Sequence, residues 1–384
     1  MSPRLTVTAA LLVSASACGT AGSAESAGTS APPAANRVGS TTAAPSDTSA
    51  TDATQAWFPE TELEAVRSTS WGTHRALIAD GRVYASNGED VPILVQVAAL
   101  PLLSQGDPDV RCAVIGLGSG VEATALAALG CGVTEVFERR ADELRPAAAH
   151  LGPLVDLSDV RIRESAPSSR YDVVVQSQAS WLLNRPHRLF TVERLRAIGE
   201  ALSERGVLAM HVPLYFLHQS THRRILATLA QAFAHVSALS VRGEPTVSDL
   251  IVLASDRPIR LAPERVQAWA GPGAARWLDR ADLDPDLRRR VVFTDRAEIL
   301  AYAADAAPYR GDDRMSPDEV PLGPASEPGA DADPEAMRRF EVAHDAYVSQ
   351  FVPFHEQFVR PGSRWGRRCR EAADECDLVP ESSP

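Results

Sequence analysis

A glycine-rich turn separates two apolar runs: Val110 to Ile115, then Gly116-Leu117-Gly118-Ser119-Gly120, then the alanine-rich Val121 to Leu129. That order predicts strand, turn and helix. A further apolar run, Val133 to Phe137, ends in Glu138, eighteen residues after Gly120. A strand–glycine–helix turn lets backbone N–H groups approach a ligand at the helix N-terminus. An acid at the tip of the next strand can accept hydrogen bonds from ribose hydroxyls. Gly116, Gly118, Gly120 and Glu138 therefore form a candidate nucleoside site, although tight strand–helix packing also selects glycine.

The N-terminus constrains the compartment. Leu5 to Ala17 is apolar and small, the length of a signal-peptide core and too short to span a bilayer. Ser16-Ala17-Cys18-Gly19 follows and is similar to a bacterial lipobox, with Ala15 where leucine is usual. The expectation is an exported lipoprotein anchored through Cys18. Conventional cleavage near Ala17, or a cytoplasmic chain, is the alternative. From Gly19 to Gln55, thirty of 37 residues are Ala, Ser, Thr, Gly or Pro. Such a segment cannot bury enough apolar surface to offset its ordering entropy. It reads as a disordered tether with an end-to-end distance of about 35 Å.

The net charge of −12 argues against a nucleic-acid surface. No stretch after residue 18 is long and apolar enough for a transmembrane helix. With Cys18 set aside, four cysteines remain. Cys369 and Cys376 lie seven apart in a charged tail. Cys112 begins the first strand of the glycine unit and Cys131 precedes the second. Parallel strands start at the same edge, so this pair can bridge; two buried thiols are the alternative.

Asp80-Gly81 between apolar runs predicts a β-hairpin, and Val91 to Leu103 a buried helix between Pro92 and Pro101. Strands and helices then alternate. Strands are expected at 110–115, 133–137, 160–163, 171–176 and 207–212, with helices to 129 and over 140–150, 192–204 and 219–233. Strands at 235–241 and 250–254 are joined without a helix and read as an antiparallel edge hairpin. Beyond Arg260 the chain reads as helical and polar, with an acidic loop over 310–335 and a helix over 334–357. The alternation means a parallel α/β sheet covered on both faces. The organisation expected is a signal segment (1–18), a tether (19–55), a small β-domain (56–106), a Rossmann-type domain (107–260) and a C-terminal helical extension (261–384).

Five stretches resemble the spermidine/spermine synthases, particularly their extended bacterial relatives. They are Asp80-Gly81-Arg82-Val83-Tyr84-Ala85-Ser86, Leu100-Pro101-Leu102-Leu103, Leu189-Phe190-Thr191, His211-Val212-Pro213-Leu214-Tyr215 and Gly311-Asp312-Asp313-Arg314. The resemblance implies a Rossmann-like fold of the S-adenosylmethionine-dependent methyltransferase type behind a small N-terminal β-domain. It also implies transfer of an aminopropyl group from decarboxylated S-adenosylmethionine to a polyamine. The attacking amine must lose a proton, so the family places an acid at the end of the fourth strand. Gly116, Gly118, Gly120 and Glu138 match the family's nucleoside loop and ribose acid. The catalytic acid's place is held by Gln176-Ser177-Gln178, and glutamine cannot take up a proton. Glu164-Ser165-Ala166 stands where the adenine-contacting acid belongs, and the helix after it is cut to Pro167-Ser168-Ser169. Ile93, Leu94 and Val95 replace the family's polar pair in the helix before the loop.

Glu164 and His187 are the candidate replacement bases. His218 and His222 share a helix face but have no third ligand at a metal-site spacing, so no metal is expected. Asp312, Asp313, Asp318 and Glu319 read as a solvated acidic cluster. The leading expectation is a spermidine-synthase-like lipoprotein with a degraded catalytic site that binds a nucleoside, a polyamine or a protein partner. An S-adenosylmethionine-type or methylthioadenosine-type nucleoside is the candidate cofactor. The alternative is an active aminopropyltransferase or other S-adenosylmethionine-type transferase.

Overall fold

Two sheets organise the chain. The computed structural model describes residues 56–58, 66–79, 82–88, 90–105, 109–177, 190–214, 217–241, 249–261, 273–283, 287–311, 313, 335, 338–339, 342, 364–372 and 378. Cys18, the tether from Gly19 to Gln55, Gln178, His187, Asp312, Asp318, Glu319, Cys376 and most of 334–357 lie outside the described residues. All described residues belong to one unit spanning 47–384. Among them, no helix is long and apolar enough to cross a membrane.

The first sheet is antiparallel, in the order β1 (Arg67–Trp71), β2 (His74–Ala79), β3 (Arg82–Ser86). Strand β1 was not expected, because its Arg-Ser-Thr-Ser-Trp has no apolar alternation. The sheet is tied to the larger body through His150, whose ring Nε2 bonds Ser70 Oγ and the Thr69 carbonyl, and whose carbonyl accepts from Arg75 Nη1. Helix α1 (Val91–Leu102) follows. It is apolar nearly all round, and every residue but Pro92 is buried.

The second sheet has eight strands: β4 (Arg111–Ile115), β5 (Val133–Phe137), β6 (Val160–Arg163), β7 (Tyr171–Gln176), β8 (Leu202–Pro213), β9 (His235–Ser240), β10 (Asp249–Ser255) and β11 (Val291–Phe293). Their order is β11-β9-β10-β8-β7-β4-β5-β6. Strands β4 to β8 are parallel, and β10 is antiparallel to both β8 and β9. The order reverses direction at β4, the switch point of a doubly wound sheet. This is the Rossmann-like α/β fold of S-adenosylmethionine-dependent methyltransferases. Helices α2 (Val121–Ala128), α3 (Ala141–Ala149), α4 (Val192–Glu200), α5 (Gln219–Ala232), α6 (Ala274–Ala281), α7 (Arg296–Tyr302) and α8 (Arg367–Glu371) complete it.

Three expectations are corrected. The fifth parallel strand begins at Leu202, and α4 stops at Glu200, because Gly206 lets the chain turn tightly against β7. A Cβ there would stand 2.8 Å from the Tyr171 carbonyl oxygen. The β9–β10 hairpin is not the edge of the sheet, since β10 is inserted beside β8 and β11 pairs outside β9. The region after Arg260 is therefore not purely helical.

The two faces of this sheet have separate cores. One packs α1, α2 and α6; the other packs α4, α5, α7 and Trp365. Crossovers from β4 to β5 and from β5 to β6 put α2 and α3 on the first face. The return from β6 to β7 must cross the second face. Its seven residues, 164–170, form no helix. Trp57 and Phe58 cover the exposed strip instead. The Trp57 ring lies 4.8 Å from Phe137 and 5.9 Å from Tyr171, and Arg139 sits 4.3 Å over the Phe58 ring. A segment from the far N-terminal side thus occupies a crossover helix's place.

Candidate functional site

The glycine turn joins β4 to α2 at the carboxyl end of the parallel strands. Gly116, Gly118 and Gly120 have φ of +81°, +52° and +78°, a region that strains residues with a Cβ. The Gly116 N–H donates to the Phe137 carbonyl (3.0 Å) and the Gly120 N–H to Leu117 (2.8 Å). All five turn residues are buried. A Cβ on Gly120 would stand 3.1 Å from Val155 and 3.4 Å from Ala148. Packing against α3 and its following turn is therefore sufficient reason for glycine at that position.

Glu138 is buried at the tip of β5. Its Oε2 accepts from the Leu117 N–H (3.1 Å) and its Oε1 from the Arg140 N–H (2.9 Å). The carboxylate thereby fixes both the glycine turn and the entry to α3. Each oxygen keeps a second lone pair with which to meet a hydroxyl.

A second acid, not among the residues singled out from the sequence, joins this turn to β7. Glu122, in the first turn of α2, is fully buried. It accepts from Ser119 Oγ (2.8 Å) and from Ser177 Oγ (2.9 Å). The Ser119-x-x-Glu122 spacing is that of a capping box and was the available signal. Beside Ser177, at the end of β7, stands Gln176, between Ile115 of β4 and Met210 of β8. It is 1% exposed, and among the described residues neither its amide oxygen nor its amide nitrogen has a hydrogen-bond partner. An unpaired buried amide costs roughly 1–3 kcal/mol per group. Both atoms are free at the position where the sequence resemblance places a catalytic acid.

A third polar cluster lies on the other face of the sheet. His211 Nε2 is 2.7 Å from Asp249 Oδ1, both groups being buried, and among the described residues His211 Nδ1 has no hydrogen-bond partner. Alternation along β8 turns His211 toward α1. Asp90, at the N-cap of α1, accepts from Ser86 Oγ (2.7 Å). Burial holds the Asp90 carboxyl above its ordinary range; Ser86 partly offsets this, and the Asp249 charge adds to it. Gln176 faces the opposite side by the same alternation, so the two clusters do not form one site.

Of the other candidates, Glu164 is exposed. His222 is buried, with Nδ1 3.2 Å from the Tyr302 hydroxyl, and among the described residues no group of three or more metal-ligating side chains converges. Asp313 accepts from the Arg310 N–H (2.9 Å) and lies 3.9 Å from Arg224. Cys112 and Cys131 form a disulfide with Cα atoms 6.1 Å apart, and Cys369 is also disulfide-bonded.

No protein-family model matches the chain, and no curated protein matches it. Solved structures similar to it include a probable spermidine synthase from Corynebacterium glutamicum, at 14% identity and a TM-score of 0.45 over 65% of this chain and 93% of that one. Spermidine synthase from Thermotoga maritima is 15% identical, with a TM-score of 0.41 over 58% and 89%. Human methyltransferase-like protein 13 in complex with SAH is 18% identical, with a TM-score of 0.32 over 49% and 90%. The fold assignment rests on the strand order.

Proposed function

We propose that the chain is an exported, lipid-anchored protein of spermidine-synthase-like fold that binds a thioether nucleoside and does not transfer an aminopropyl group. Gln176 carries this reading. An amide cannot accept the proton that an attacking amine must lose. Its free oxygen and nitrogen call for a ligand that donates and accepts side by side. The edge of adenine or a ribose diol does both. A polyamine ammonium only donates and would leave Nε2 unpaired. Glu138 supplies the ribose acceptor and, through Leu117, holds the glycine turn. Cys18 within its lipobox-like sequence, together with the disulfides, supports export.

Calorimetry on the full chain with methylthioadenosine tests the binding. A dissociation constant on the order of 100 μM is expected, since Glu164, which stands where the resemblance places the adenine-contacting acid, is exposed. Gln176→Leu should weaken binding about tenfold or more without lowering the melting temperature, because it removes two unpaired polar atoms from the core. No heat at millimolar nucleoside, or turnover of decarboxylated S-adenosylmethionine with putrescine above background, overturns the reading. One observation favours the second reading, an active transferase: the buried His211–Asp249 pair has the form of an oriented base, although it lies on the face of the sheet opposite Gln176, so an amine site using it would not be the one at Gln176. In that case His211→Gln abolishes turnover.

A further inference from the structure

At the amino-terminal edge of the parallel strands, opposite the glycine turn, lies a cleft of about 520 Å³ between the start of β8 and the end of β10. Arg205, Arg257 and Arg260 line it, together with Ser104 and Ser255. Glu204 pairs with Arg257 at 2.9 Å. Among the described residues of its lining, three guanidinium groups stand against one carboxylate, in a chain whose net charge is −12. Among the described residues neither Arg205 nor Arg260 has an ion-pair partner.

The backbone beneath these arginines is fixed. Gly206 makes a turn that no residue with a Cβ can make, because that atom would meet the Tyr171 carbonyl at 2.8 Å. The Arg205 carbonyl accepts from Gln105 Nε2 (3.4 Å), and Gln105 is itself buried. Ser255 Oγ donates to the Gly206 carbonyl (2.8 Å) and accepts from the Arg257 N–H (3.2 Å), so one hydroxyl locks the two arginine-bearing segments together. The three exposed side chains project from this fixed backbone into one cleft, and an anion seated there would be attracted by each of them. The guanidinium fork matches the paired oxygens of a phosphoryl group.

We propose that this cleft binds a phosphoryl group, held by Arg205 and Arg260 with Arg257 in support. The group belongs either to a soluble phosphorylated molecule or to an anionic lipid headgroup. The site is independent of the nucleoside reading, since it lies at the other edge of the sheet.

The test uses the full chain with two probes: inorganic pyrophosphate by calorimetry, and flotation with phosphatidylglycerol vesicles against phosphatidylcholine vesicles. The double variant R205A/R260A should weaken binding to whichever probe is taken up on the order of tenfold or more, and R205K/R260K should restore part of it through charge alone. Raising salt from roughly 50 mM to 0.5 M should weaken binding as screening grows. Pyrophosphate binding assigns a soluble ligand; a preference for phosphatidylglycerol alone assigns a headgroup. Absence of both, or equal binding by R205A/R260A with an unchanged melting temperature, overturns the proposal.

Discussion

Glu135 shows how one side chain can hold a sheet face together. It sits in β5, three residues before the acid that the sequence singles out, with its side chain 5% exposed. It accepts from the Tyr171 hydroxyl, from Arg163 Nε (2.8 Å) and Nη2 (2.6 Å), and lies 3.7 Å from Arg111. Burial alone would raise its pKa, but Tyr171, Arg163 and Arg111 together outweigh burial and hold it below the ordinary value of 4.5. The same contact pushes the Tyr171 phenol, already raised by burial, up to about 12. A carboxyl whose pKa is lower in the folded chain stabilises it fully above 4.5, and that contribution is lost as pH falls through the folded value. Glu135→Gln should therefore cost about 2 kcal/mol at neutral pH, the arginines being half exposed. Melting of both forms from pH 7 to pH 3 checks this: the gap should shrink below pH 4.5. A gap independent of pH would remove charge from the account. The sequence hides this residue because Val-Thr-Glu-Val-Phe reads as an apolar strand. Glu138 was legible because it stands at a strand tip, although its hold on the Leu117 and Arg140 N–H groups was not.

At the scale of elements, the alternation of apolar runs and turn residues makes most strands and helices of the larger sheet readable from the sequence. What it could not show were pieces whose reason lies in tertiary contact. Strand β11 is three residues long and exists because β9 offers it an edge. Strand β8 starts in the polar Leu-Ser-Glu-Arg-Gly, which resembles a helix end. The Trp57–Phe58 cover on β5 and β7 follows from the lost crossover helix and has no local signal. Both side chains are at most 2% exposed. Trp57→Ala should cost roughly 3–5 kcal/mol, as for aromatic truncation in a core. Chemical denaturation measures it, and a loss below about 1 kcal/mol would mean that this segment only rests on the sheet. The disulfide between β4 and β5 closes a loop of 19 residues. Replacing Cys112 and Cys131 by serine should lower stability by about 3 kcal/mol through the unfolded chain's entropy. Reducing agent should lower the wild-type melting point toward that of the double variant and leave the variant's own melting unaffected by this bridge.

For the whole molecule, the compartment decides which ligands the site can meet. A disulfide between strand starts persists where thiols are not kept reduced. Lipobox-like residues before Cys18 and the low-complexity Gly19–Gln55 segment favour the same side of the membrane. S-adenosylmethionine and its decarboxylated form are kept in the cytoplasm, so a body held outside would meet little aminopropyl donor. Loss of an acid at position 176 would then carry no penalty, while a turn fixed by Glu138 and Glu122 would persist for packing or for a nucleoside found outside. An exported position, as proposed, would account for a retained framework that has an amide at position 176 in place of an acid. Cys18→Ala in the full chain should move the protein out of the membrane fraction and leave an uncleaved precursor, and Cys112, buried in the folded chain, should resist alkylation under denaturing conditions until a reductant is added. Fractionation of tagged wild type and variant, with thiol labelling of each, checks both halves together. A wild-type chain found in the cytoplasm with Cys112 freely labelled would return the site to the transferase reading, with His211 as the base to examine.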